Sequence, residues 1–244
     1  MFKMDSNQIM ELCNFAYVAD KEARSDLIGG YIATENDYTS NFTGALRRII
    51  NANSKTKLSA TSYVLSPADE RLSGCDATII LTSNNYFKVI TFEAKYPRMS
   101  KKYYNWDYSQ TSTGLSHFSD QLERQKRFSS IHAIFEMFYC DLPYSKQPVY
   151  MQNYVSSCVW HKDAISFDSK RKNTNQVWSS TDLENLLKIG NLSIDKILHE
   201  VCICSQGKPT KCFGKITDMA QEFSLFGNVL HIAASDSESD DFKN

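Results

Sequence analysis

The stretch Gly74–Arg98, GCDATIILTSNNYFKVITFEAKYPR, decides the fold. Two apolar runs flank Asn84-Asn85, and asparagine tolerates the positive φ that a two-residue hairpin turn needs. That turn sets Asp76 directly opposite Glu93, with Cβ atoms about 5 Å apart. Lys95 follows two residues later, so it leaves the strand on the same face. Ala77, Ile79, Leu81, Ile90, Phe92 and Ala94 fall on the other face. The pattern predicts one core-facing side and one side presenting two carboxylates and an amine at the open end of the hairpin.

Two carboxylates this close repel each other, which raises one pKa unless a cation joins them. Mg²⁺ suits the role, because it uses one or two carboxylates, keeps several waters and takes phosphate oxygens for the rest. A water on such an ion attacks at neutral pH, and a lysine beside it steadies the developing charge. The arrangement therefore suits phosphodiester hydrolysis. An acid two residues before a lysine is common by itself: Asp168-Ser169-Lys170 and Asp241-Phe242-Lys243 also match. Only Glu93-Ala94-Lys95 ends an apolar strand with an aspartate opposite. A plain strand-end salt bridge is the structural alternative.

Outward from the hairpin, residues 5–19 place Ile9, Leu12, Phe15 and Ala16 at helical spacing, with Ser6 as N-cap. A second helix is predicted from about Thr34 to Asn51, with Tyr38, Phe42, Ala45, Leu46 and Ile49 on one side. Ser59–Leu65 reads as a strand. A long helix is predicted from about Leu115 to Cys140, and a strand region over Pro148–Trp160. Thr181 with Glu184 forms a capping-box pattern for a helix ending at Gly190. Ser193 caps a last helix through His199. Strands flanked by helices in this order predict an α/β (α+β mixed) domain, a central mixed sheet sandwiched by helices.

The residues GCDATIIL and FKVITFEAK resemble the core of the PD-(D/E)XK, or restriction-endonuclease-like, nuclease superfamily, over about residues 34–160. The resemblance implies a restriction-endonuclease-like core acting on DNA, with RNA left open as a substrate. It implies Mg²⁺, for which Mn²⁺ substitutes, held by Asp76, Glu93 and the Ala94 carbonyl. Lys95 would be the catalytic lysine. Glu35, in TENDYTSNFTGAL, resembles the further acid supplied by the preceding helix, although an acid at a helix start also answers the macrodipole. Gln121 and Gln125, in SDQLERQKRF, resemble a glutamine that some branches place near the site; the alternative is a solvated helix face. Cys75 stands where the family has proline. A dimer is compatible with this class.

After the hairpin, KYPRMSKKYYNWDY sets Arg98, Lys101 and Lys102 among Tyr103, Tyr104, Trp106 and Tyr108. Cations contact phosphates and rings stack on splayed bases, so Arg98, Lys101, Lys102 and Tyr104 are candidate substrate contacts. His199, Cys202, Cys204 and Cys212 have poor spacing for a closed zinc site, and buried free thiols are expected instead. His117, His132 and His161 show no nucleophilic partner motif.

The chain has 244 residues, 42% of them hydrophobic, enough for one domain with a sizeable core. The expected division is a single domain over 1–234, with a helical addition over about 161–234, and a disordered acidic tail over 235–244. That tail holds Asp236, Glu238, Asp240 and Asp241 against one lysine, which leaves the body slightly basic. A near-neutral body binds DNA only through clustered basic residues. No apolar run is membrane-length and the N-terminus has no secretory segment, so no membrane partner is expected. Seven cysteines without a regular framework suit a reducing compartment, read as cytoplasmic. Two other functions share these features: an idle nucleic-acid- or protein-binding module on the same fold, and a host-directed interaction protein addressed by its tail.

Overall fold

The computed structural model describes residues 1–64, 75–101, 106–110, 114–171, 176–223 and 228–235. The acidic residues of the tail lie outside them. The chain runs α1 (Ser6–Ile28), α2 (Glu35–Asn53), β1 (Leu58–Val64), β2 (Ala77–Ser83), β3 (Tyr86–Lys95), α3 (His117–Lys126), β4 (Ala133–Phe138), β5 (Ser157–Trp160), α4 (His161–Asp168), α5 (Ser180–Gly190), α6 (Ile194–Cys202), β6 (Thr210–Lys211), α7 (Ile216–Glu222) and β7 (Asn228–Ala234). The strands form a seven-stranded mixed sheet in the order β1-β7-β2-β3-β4-β5, with β6 pairing on β3. The expected helix-flanked α/β class is what the chain adopts.

The hairpin has the expected register. Ser83 faces Tyr86 and Ala77 faces Phe92. Asn84 and Asn85 take φ of 49° and 59°, the left-handed values of a tight two-residue turn. Ala77, Ile79, Leu81, Ile90, Phe92 and Ala94 enter the main core, under α1, α2 and α6. The opposite face differs from the expected polar surface. Ile80, Phe87 and Val89 pack there on Met219 of α7, and further along α3, α4 and α5 cover it with a second apolar cluster. Of the three charges at the hairpin end, Glu93 and Lys95 are therefore buried and Asp76 is half-buried.

Several element boundaries depart from the sequence expectation. The long helix over Leu115–Cys140 is two elements. Its helix stops at Lys126, and Ala133–Phe138 is β4, parallel to β3. Phe135 stacks on Phe92, ring centroids 5.2 Å apart. Pairing with β3 outweighs the helical spacing of the apolar residues. α1 is longer than expected and is capped by Asp5 with Gln8, not by Ser6. α5 is capped by Ser179, whose hydroxyl accepts from the Asp182 N–H; the Thr181/Glu184 pattern lies one turn inside. α6 continues past His199 to Cys202. Only Ser157–Trp160 of the expected strand region is a strand. The C-terminal addition is not wholly helical: β7 returns into the sheet between β1 and β2.

The turns before β5 are held by Arg24 of α1, which is fully buried. Its guanidinium donates to the carbonyls of Cys140, Gln152 and Val155 and to Gln147 Oε1. Beside it, the buried Asp20 accepts from the Tyr38 hydroxyl at 2.6 Å and from the Ser156 N–H. No helix among the described residues is long and apolar enough to cross a membrane.

Candidate active site

The centre lies where β2 begins and β3 ends. Asp76 precedes β2, its N–H donates to the Phe92 carbonyl, and its Oδ2 accepts from the Ala94 N–H at 2.8 Å. Ala94 thus meets Asp76 through its N–H. Glu93 and Lys95 are only 2% and 3% exposed. The Lys95 ammonium donates to Glu93 Oε1 at 2.5 Å and lies 5.9 Å from the Phe118 ring centroid. Glu35, the first residue of α2, accepts from the Tyr96 N–H at 2.9 Å, which ties the helix start to the residue after Lys95. The Thr34–Asp37 capping box fixes that start.

Electrostatics express the crowding. Burial pushes the Glu93 carboxyl well above the usual range; Asp76 and Glu136 push it further, and Lys95 pulls it back. Burial alone would lower the Lys95 pKa, but the carboxylates of Glu93, Glu35 and Asp76 outweigh it and raise it. The charged form of Lys95 is therefore favoured by the three acids. Cys75, in the proline position of the resemblance, has its thiol pushed far up by burial and by Glu136 and Glu93, so that position carries a neutral side chain.

The glutamines are not on a solvated face. Gln121 is buried and its Nε2 donates to Glu93 Oε1. Its Oε1 is buried without a hydrogen-bond partner among the described residues. Gln125, one turn on, reaches Glu136 Oε2 instead, at 3.4 Å. Arg98 is exposed, at φ 52°, with its guanidinium 5.6 Å from the Tyr96 ring centroid. Lys101 is exposed, and its N–H donates to the Arg98 carbonyl. Lys102 and Tyr104 lie outside the described residues. Of the thiols expected to be buried, Cys202 is, Cys212 is half-buried and Cys204 is exposed.

Sequence reasoning missed Glu136 and set His161 aside. Glu136 pairs in register with Glu93 on the neighbouring strand and is fully buried. The His161 Nδ1 lies within hydrogen-bond distance of Glu136 Oε1, at 3.3 Å. One signal was present. AIFEMF holds a single acid in an otherwise apolar run, and an acid is rarely buried without a partner.

Comparison with protein-family models, with curated proteins and with solved structures found no match. The site must be judged on its own chemistry. Asp76 and Glu93 offer hard carboxylate oxygens, the donor set Mg²⁺ and Mn²⁺ prefer. Among the described residues, no group of three His, Cys, Asp or Glu is arranged to hold a metal. Mg²⁺ does not need three, since waters and substrate oxygens complete its shell. The unpartnered Gln121 Oε1 is an acceptor suited to a water beside Glu93. The residues fit such an ion provided that Glu93 exchanges part of its bond to Lys95 for it.

Proposed function

We propose that the chain is a metal-dependent nuclease of the restriction-endonuclease-like kind, hydrolysing phosphodiester bonds in DNA within a reducing, cytoplasmic compartment. The observation that carries this reading is the enclosure of Lys95 among Asp76, Glu93 and Glu35 at one end of the hairpin. The element order α2-β1-β2-β3-α3-β4 supports it. Mg²⁺, or Mn²⁺ in its place, supplies an activated water and charge neutralisation when bound. Asp76 and Glu93 would hold it, with the Ala94 carbonyl as a third donor. Lys95 stays protonated and orients the nucleophile or meets the charge that builds on phosphate. Glu35 holds the Tyr96 backbone and adds negative charge near Lys95. Gln121 positions Glu93. Arg98 and Lys101 meet the phosphate backbone.

A second reading rests on one observation. Glu93 and Lys95 are almost wholly enclosed and already neutralise each other. That closed state suits an idle binding module on the same fold. Isosteric substitutions separate the two readings, because truncating buried side chains would also damage the fold. Asp76→Asn, Glu93→Gln and Lys95→Met are incubated with supercoiled, linear and single-stranded DNA and with RNA, with Mg²⁺, Mn²⁺ or chelator. The nuclease reading expects metal-dependent cutting by the wild type and loss of about 100-fold or more in each variant. Equal cutting by Asp76→Asn would overturn the site. No cutting by the wild type on any substrate would favour the binding module.

A further inference from the structure

Beside the centre lies a cavity of about 320 Å³, lined by Thr34, Glu35, Asn36, Tyr96, Arg98, Trp106 and Tyr108. We infer that this cavity receives one unpaired nucleobase, and that the preferred substrate is single-stranded DNA rather than intact duplex. The inference rests on the nuclease reading for the reaction, but the cavity carries the substrate class by itself.

Its walls combine what a nucleotide needs. Tyr108 is more than half exposed and its ring is set in place by stacking on His117, centroids 4.5 Å apart and planes 16° from parallel. The His117 N–H donates to the Tyr108 carbonyl at 2.8 Å, which fixes the segment on the start of α3. Such a preset ring is a stacking platform, open to any base because every base has a π face. Glu35 and Tyr96 line the cavity and also border the centre, where Glu35 accepts from the Tyr96 N–H, so the platform adjoins the catalytic centre.

Trp106 supplies an inner wall. It is buried and packed edge-on against Phe118, Phe138 and Trp178, which holds its ring in place beside the cavity. Arg98, at the rim, supplies a cation for the attached phosphate.

Size decides between single strand and duplex. The cavity falls at the low end of the ~300–1,000 Å³ range of small-molecule sites, room for one nucleotide and not for stacked pairs. A base inside a duplex would have to unpair first, which disfavours intact helix.

The test is equilibrium binding, in chelator, of a labelled single-stranded DNA oligomer and a blunt duplex of the same length. The wild type should prefer the single strand by about tenfold or more, and Tyr108→Ala should lose about 10- to 100-fold on the single strand with little change on the duplex. Tyr108→Phe should keep the preference. A melting temperature is recorded for each variant. Equal binding of the two forms by the wild type, or an undiminished Tyr108→Ala, would overturn the inference. Failure of the nuclease reading looks different. The wild type would then cut nothing with metal, while the chelator binding and its dependence on Tyr108 persisted.

Discussion

Glu93 is the residue on which the centre turns. It lies beside Asp76 and Glu136, with Lys95 as its compensating cation. Its carboxyl binds a proton more tightly in the folded chain than in the unfolded one. The stability tied to that proton is full below the ordinary carboxyl value of 4.5 and is lost as pH rises through the raised folded value. A divalent cation reverses the trend, because it binds the ionised form. Thermal melts with Mg²⁺ and with chelator, from about pH 5 to about pH 8, should therefore show a metal-induced stabilisation that grows with pH. Asp76→Asn should abolish that stabilisation while leaving the metal-free melt unchanged or slightly higher, since one repulsive partner of Glu93 is gone and the Ala94 N–H keeps an acceptor. A metal shift that is flat across pH would count against Glu93 as a ligand.

At the scale of elements, α3 is what encloses the site. It carries Gln121 to Glu93, and its start is fixed by Ser116, whose hydroxyl accepts from the Ser119 N–H and donates to Asp107 Oδ2. Asp107 in turn accepts from the N–H groups of Phe118 and Trp178, joining the Trp106–Tyr108 segment to α3 and to the approach to α5. Ser116→Ala removes the cap and one bond of this buried group. The expected loss is about 1–2 kcal/mol of stability, read by denaturant titration. Activity should fall by more than the unfolded fraction explains, because Gln121 and the aromatic wall move with the helix start. A variant as active per folded molecule as wild type would show that α3 only covers the centre.

For the whole molecule, Arg24 makes a connection between segments far apart in sequence. It joins α1 to three carbonyls of the segment after β4, more than a hundred residues away. Arg24→Met would leave those carbonyls buried and unmet. Each such group costs about 1–3 kcal/mol, so the variant should lose several kcal/mol. For a domain of this size that is a fall of roughly 10 °C in melting temperature. Because the bonds of Arg24 go to residues 140–155 and not to the hairpin, the folded fraction should keep its metal response. A melt within a degree or two of wild type would mean that the β4–β5 connection holds its shape without α1.

The sequence by itself determined the hairpin. Its turn, its register and the juxtaposition of Asp76, Glu93 and Lys95 follow from local rules, since a two-residue turn and a period of two leave no freedom. The mixed α/β class and the placement of Glu35 at a helix start were legible for the same reason. Tertiary structure decided the rest. Ala133–Phe138 has helical spacing as well as strand composition, and only the open edge of β3 makes it a strand. β7 is short, and its place between β1 and β2 depends on partners more than 140 residues earlier in the chain. Enclosure of the charges was also beyond local reading. Whether a polar strand face meets water or a helix is set by what packs on it, here α3 with Gln121 and the buried Glu136–His161 pair. Local spacing specifies which side chains share a face, whereas burial is a property of two surfaces, and the second surface comes from elsewhere in the chain.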